Sequence, residues 1–260
     1  MDPSAVIAAE SLRFSEVLAD TSPQTRCPTC PEWNADDLLW HLAEVQHFWA
    51  EVLARDARTD ADAEAIEADA PARPEDTQGK LDLRARGTEL LLDQLDRLDD
   101  AEPRWSWWEP DQTVGFTRRM QTCEATIHRV DAELTAGVPV TPLTEDVAVA
   151  AIDHCADVMW GWMPEWGDYE PLATVELRAT DIDRKWLIEV GHWTGTGPES
   201  GKSFDWPRAI RALGGDPSAS VEGPAQDVAL WFWTRPASVD ISGEQSALRA
   251  LDRLLAHGIQ

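Results

Sequence analysis

Hydrophobic residues recur at three- and four-residue intervals through roughly the first 165 positions of this chain, then alternate with polar residues beyond about 171. Spacing of three and four gathers side chains on one face of a helix, whereas alternation gathers them on one face of a strand. The chain is therefore read as a mixed fold, α followed by α/β: a helical domain over 1–165 and a smaller α+β domain over 166–260. A length of 260 residues also favours two domains over one.

The pattern predicts a first helix over 3–20 and a Pro-punctuated connection over 21–33, containing Pro23, Pro28 and Pro31. A second helix starts at Asn34, a good N-cap with Asp36 and Asp37 in the first turn, and lines up Leu38, His41, Val45, Phe48 and Val52. Residues 56–79 hold one large aliphatic, Ile66, and are expected to be a mobile acidic loop. Helices follow at about 81–98, 117–136 (stopped by Gly137) and 145–162, with an aromatic loop over 103–116. Strands are expected at 172–181, 185–193 and 239–243, with helices from about 225 and at the C-terminal end.

Charge narrows the partners. Forty-eight acids against 22 bases give a net charge of −26, which repels phosphate backbones and anionic lipid, so neither nucleic acid nor membrane is expected as a partner. No apolar run reaches membrane-span length, and the N-terminal MDPSAVIAAESLRF lacks a basic signal-peptide start, so the cytoplasm is the expected location. Four sparse cysteines in a chain this long read as reduced thiols. The pair Cys27-x-x-Cys30 has no second pair to complete a zinc knuckle, and packing is its expected role. GTGPESGKS (195–203) is not a phosphate loop, because Thr196 stands where a glycine is required.

One constellation carries chemistry. Glu124 and His128 are four apart on a predicted helix, so both leave one face about 6 Å apart, a reach that suits two ligands of one first-row metal. The third ligand has to come from another helix, and His41 on the apolar face of the second helix is the candidate. Three protein ligands leave a coordination position open, the mark of a catalytic rather than a structural site. The spacing alone also fits a solvated helix face, and a core histidine that is merely hydrogen-bonded.

CPEWNADDLLWHLAEV (30–45) together with GFTRRMQTCEATIHRVDAELTAG (115–137) resembles the maleylpyruvate isomerase N-terminal family of the DinB-like superfamily. LRATDIDRKWLIEV (177–190) and GPAQDVALWFWTR (223–235) resemble its companion domain, which is sterol-carrier-protein-like. The resemblance covers nearly the whole chain. It implies a DinB-like four-helix bundle holding a divalent metal, usually zinc, through His41, Glu124 and His128, and mycothiol or another low-molecular-weight thiol as cosubstrate. It further implies a metal- and thiol-dependent isomerase or S-transferase acting on a small electrophile. A metal-dependent hydrolase and a non-catalytic metal- or ligand-binding protein of the same fold remain the alternatives, and neither the oligomeric state nor the substrate is legible. Two more residues are candidates for catalysis: Arg235, which could hold a substrate carboxylate, and Asp131, one turn after His128, which could orient an imidazole or bind the thiol.

Overall fold

A computed structural model describes residues 1–259. Among them the chain forms two compact units, Met1–Thr141 and one that begins at Pro142. The expected boundary near 165 is thus corrected to 141/142. Residues 142–165 go with the second unit because the apolar face of α6 (Glu145–His154), with Val147, Ala148, Ala151 and Ile152, packs against α7 (Ala225–Phe232).

The first unit is built from four long helices, α1 (Pro3–Ala19), α2 (Ala35–Ala54), α4 (Thr77–Arg97) and α5 (Val114–Ala136), with a short α3 (Asp60–Ala68) between α2 and α4. The principal packing pairs are α2 with α4 and α1 with α5. Gly87 lets α4 approach α2 closely, since a Cβ there would stand 3.2 Å from the backbone nitrogen of His47. A buried polar network ties three helices in register: Gln46 donates to Ser11 at 2.8 Å and accepts from Thr88. The start of α2 is set by a capping box in which Asn34 and Asp37 satisfy each other's backbone N–H groups. Gly137 closes α5 in the left-handed conformation, φ 68°, as its position predicts.

The mobile loop expected over 56–79 is not what the structure shows. Thr59 and Asp62 form a second capping box that starts α3, whose Ala63 and Ile66 are buried, and Asp76 caps the start of α4. Local hydrogen bonding and two small buried contacts order a segment that its apolar content alone would not.

In the second unit a five-stranded sheet runs in the order β3-β2-β1-β4-β5, formed by β1 (Asp168–Ala179), β2 (Arg184–Thr196), β3 (Ser203–Arg211), β4 (Ala219–Gly223) and β5 (Asp240–Gly243). β1 and β4 are parallel and the other neighbours antiparallel. The alternation read from sequence is the burial pattern: Val175, Leu177 and Ala179 on β1, with Trp186, Ile188 and Val190 on β2, are buried. α7 and α8 (Gln245–His257) pack against β1, burying Val228, Phe232, Leu251 and Leu254. α6 continues into a π-helical turn over Cys155–Met159, so the helix expected to reach 162 is interrupted there. No helix among the described residues is long and apolar enough to cross a membrane.

Candidate metal centre

α2 and α5 bring His41, Glu124 and His128 together in the first unit. One ligand atom from each lies within 4.8 Å of the others, and no other group of three metal-ligating side chains is found among the described residues. Both imidazoles converge on a single carboxylate oxygen: His41 Nε2 and His128 Nε2 lie 2.9 and 3.1 Å from Glu124 Oε1. The two rings meet edge to face with centroids 4.7 Å apart. Donor atoms of a tetrahedral ion at about 2.1 Å stand about 3.4 Å from one another, so this cluster lies near a metal-holding spacing.

Electrostatics agree with the donor set. Burial would raise the Glu124 carboxyl, but the charges and hydrogen bonds of His128 and His41 outweigh it and hold it well below the usual carboxylate range. Burial would lower His128, but Glu124 and Asp131 outweigh it and push it up to about 9. A carboxylate facing two basic imidazole nitrogens attracts positive charge, which protons and a divalent ion would compete to supply.

Asp131 is fully buried, and its Oδ2 lies 3.0 Å from His128 Nδ1. Its other oxygen accepts a 2.6 Å hydrogen bond from the Thr29 hydroxyl. The Asp131 contact fixes the ring so that Nε2 points at Glu124, the arrangement that outer partners of metal-binding histidines adopt. The loop before α2 therefore contributes to the site twice, through Thr29 and through Trp33, whose ring centroid lies 4.7 Å from that of His41 and 6.2 Å from that of His128. Neither residue stood out in the sequence. Trp33 belongs to the Cys-Pro-x-Trp segment, which was the only available signal. An open cavity of about 440 Å³ adjoins His41, walled by Trp33 and Trp40 and also lined by Glu32, Asp37, Glu44 and Arg73.

Arg235 lies in the second unit. It is 6% exposed, and its guanidinium donates to the backbone oxygen of Trp233 at 2.7 Å. The four cysteines are in no disulfide.

A helical unit with a His/Glu/His cluster ahead of a mixed-sheet unit defines a two-domain class, and the comparisons give that class a family. The family model of the mycothiol maleylpyruvate isomerase N-terminal domain matches residues 5–133, and that of the MDMPI C-terminal domain matches residues 146–250. The chain belongs to the mycothiol-dependent maleylpyruvate isomerase family. Its fold is similar to the crystal structure of the mycothiol-dependent maleylpyruvate isomerase, at 12% identity and a TM-score of 0.59 over 94% of this chain and 93% of that one. A histidine-to-alanine mutant of the mycothiol-dependent maleylpyruvate isomerase matches equally, with 12% identity, a TM-score of 0.60 and the same coverage. A search of curated proteins returns no match.

Proposed function

We propose that this chain is a divalent-metal-dependent and thiol-dependent isomerase or S-transferase that acts on a small electrophile, with mycothiol as the thiol. The observation that carries the reading is the convergence of His41, Glu124 and His128 beside an open cavity. The three side chains would hold the ion, zinc being the best match to a His/Glu/His set. Such an ion, when bound, supplies the Lewis acidity that keeps an incoming thiol ionised at neutral pH.

The chain's own residues do the rest. Asp131 fixes the orientation of His128 from behind, and Trp33 covers one side of both histidines and limits water there. The cavity beside His41 gives a small electrophile a place against the indole faces of Trp33 and Trp40. Addition of the thiolate to an activated double bond, rotation about the resulting single bond, and elimination of the same thiolate would isomerise the substrate and return the thiol. Addition or displacement without elimination would leave the thiol attached, which is S-transfer.

Asp131→Asn is expected to weaken metal affinity by about 10–100-fold while leaving the helical content unchanged. Isothermal titration with zinc and circular dichroism check it, and unchanged affinity would remove Asp131 from the proposal.

The whole reading is tested by assaying purified protein with mycothiol and a panel of electrophiles, maleylpyruvate among them. Consumption of an electrophile that requires the thiol supports it. Turnover that proceeds without any thiol would favour a hydrolase instead.

A further inference from the structure

Cys27 and Cys30 lie in the loop leading into α2, and the proposed reaction uses neither. The loop is closed on itself: Cys27 N–H donates to the Trp33 carbonyl at 3.0 Å, Trp33 N–H donates to the Cys30 carbonyl at 2.9 Å, and Arg26 bridges Asn34. Within that closure the Cys30 thiol donates to the Cys27 sulfur, which also lies 3.4 Å from the Thr29 hydroxyl. The two sulfurs differ in access. Cys27 is 1% exposed and belongs to the core with Phe14, Leu38 and Ala132, while Cys30 is half-buried against that core.

Contact between two thiols separated by two residues, one reachable and one sheltered, is the arrangement of a dithiol that exchanges with disulfides. The hydrogen bond from Cys30 brings the Cys27 thiol down to about 5 against the opposing effect of burial, so at neutral pH the pair shares a single proton. The packing role expected from sequence accounts for Cys27's place in the core. It does not account for the thiol–thiol contact.

We propose that Cys27 and Cys30 form a redox-active pair that exchanges with low-molecular-weight disulfides, Cys30 taking the mixed disulfide and Cys27 resolving it. In the first step Cys30 Sγ passes its proton to Cys27 Sγ and, as a thiolate, attacks one sulfur of the small disulfide. A Cys30–sulfur bond forms, the disulfide bond breaks, and one small thiolate leaves. In the second step Cys27 gives that proton to the first small thiolate and, as a thiolate, attacks Cys30 Sγ, forming the Cys27–Cys30 bond and expelling the other small thiolate. Two electrons pass from the protein to the small disulfide. Of the two protons that complete the two released thiols, one comes from the pair and one from solvent. The pair sits one hydroxyl, that of Thr29, away from Asp131, so this chemistry would take place beside a site for which a thiol is already the proposed cosubstrate.

The test uses the full-length protein, hydroxyethyl disulfide as the probe, and intact mass with peptide mapping under native conditions at neutral pH. The parent protein is expected to lose two hydrogens, with Cys27 and Cys30 joined within one peptide, and to recover on reduction. Cys27→Ser is expected to stop at a single hydroxyethylthio adduct on Cys30. Cys30→Ser should react at least about tenfold more slowly, because the remaining thiolate is sheltered. A parent protein that stays fully reduced would overturn the proposal, as would adducts on Cys123 or Cys155 with no Cys27–Cys30 bond. The parent's peptide map decides the matter even if a variant fails to fold.

Discussion

The purified protein is expected to carry about one equivalent of a divalent metal, and replacing His128 with alanine is expected to leave a folded protein that has lost nearly all of it. His128 is only 8% exposed and its ring is fixed by Asp131, so its imidazole is held in place as a donor. No second group of three ligands exists among the described residues to take the ion up. The remaining pair, His41 and Glu124, would still contact each other at 2.9 Å, which spares Glu124 from being stranded without a partner. The loss should therefore exceed the roughly 10–100-fold typical of removing an outer partner such as Asp131. Elemental analysis of His41→Ala, Glu124→Ala and His128→Ala checks this, and unchanged metal in all three would end the assignment.

The largest stability effect is expected one turn further along α5. Glu133 is fully buried and accepts hydrogen bonds from Arg13 at 2.9 Å, Arg129 at 2.8 Å, and the Thr141 amide and hydroxyl at 2.8 and 2.6 Å. Arg129, itself 1% exposed, also pairs with Glu10 at 2.5 Å. Removing one member of a buried ion pair leaves the other charge uncompensated, so Glu133→Ala should destabilise the first unit by about 3–5 kcal/mol. Burial would raise this carboxyl, but the hydrogen bonds from Thr141, Arg13 and Arg129 outweigh it and leave it below its ordinary 4.5. The sign follows from linkage: the contribution is complete above about pH 4.5 and fades as pH falls through the lower folded-state value. Urea unfolding of parent and variant should show the difference shrinking on acidification. A difference that holds constant or grows would contradict this account of Glu133.

The grouping of His41, Glu124 and His128 was open to reading because its information is local. Asn34 announces the start of α2, which sets the phase of His41, and the four-residue step from Glu124 to His128 follows from helix geometry alone. The Thr29–Asp131 hydrogen bond was not legible, since its partners are 102 residues apart and meet only through the path of the loop before α2. α3 was hidden for a different reason. Its order comes from a capping box and from the burial of Ala63 and Ile66, where apolar content suggested a loop. β3 also escaped: its Pro207 argues against a strand, yet β3 lies at the sheet edge, where a missing N–H is tolerated. The domain boundary was misplaced because helix followed helix. Thr141, bonded to Glu133, marks the end of the first unit, while α6 packs on α7 of the second.

The central claim, that one metal and one thiol act together at the His41–Glu124–His128 cluster, is met most directly by a single activity measurement. Turnover of a small electrophile by the purified protein is followed with mycothiol present or omitted, before chelation, after it, and after zinc is restored. The account predicts turnover only when thiol and metal are both present, lost on chelation and regained with zinc in the parent but not in His128→Ala. Turnover that persists after complete removal of the metal, or that needs no thiol, would contradict it.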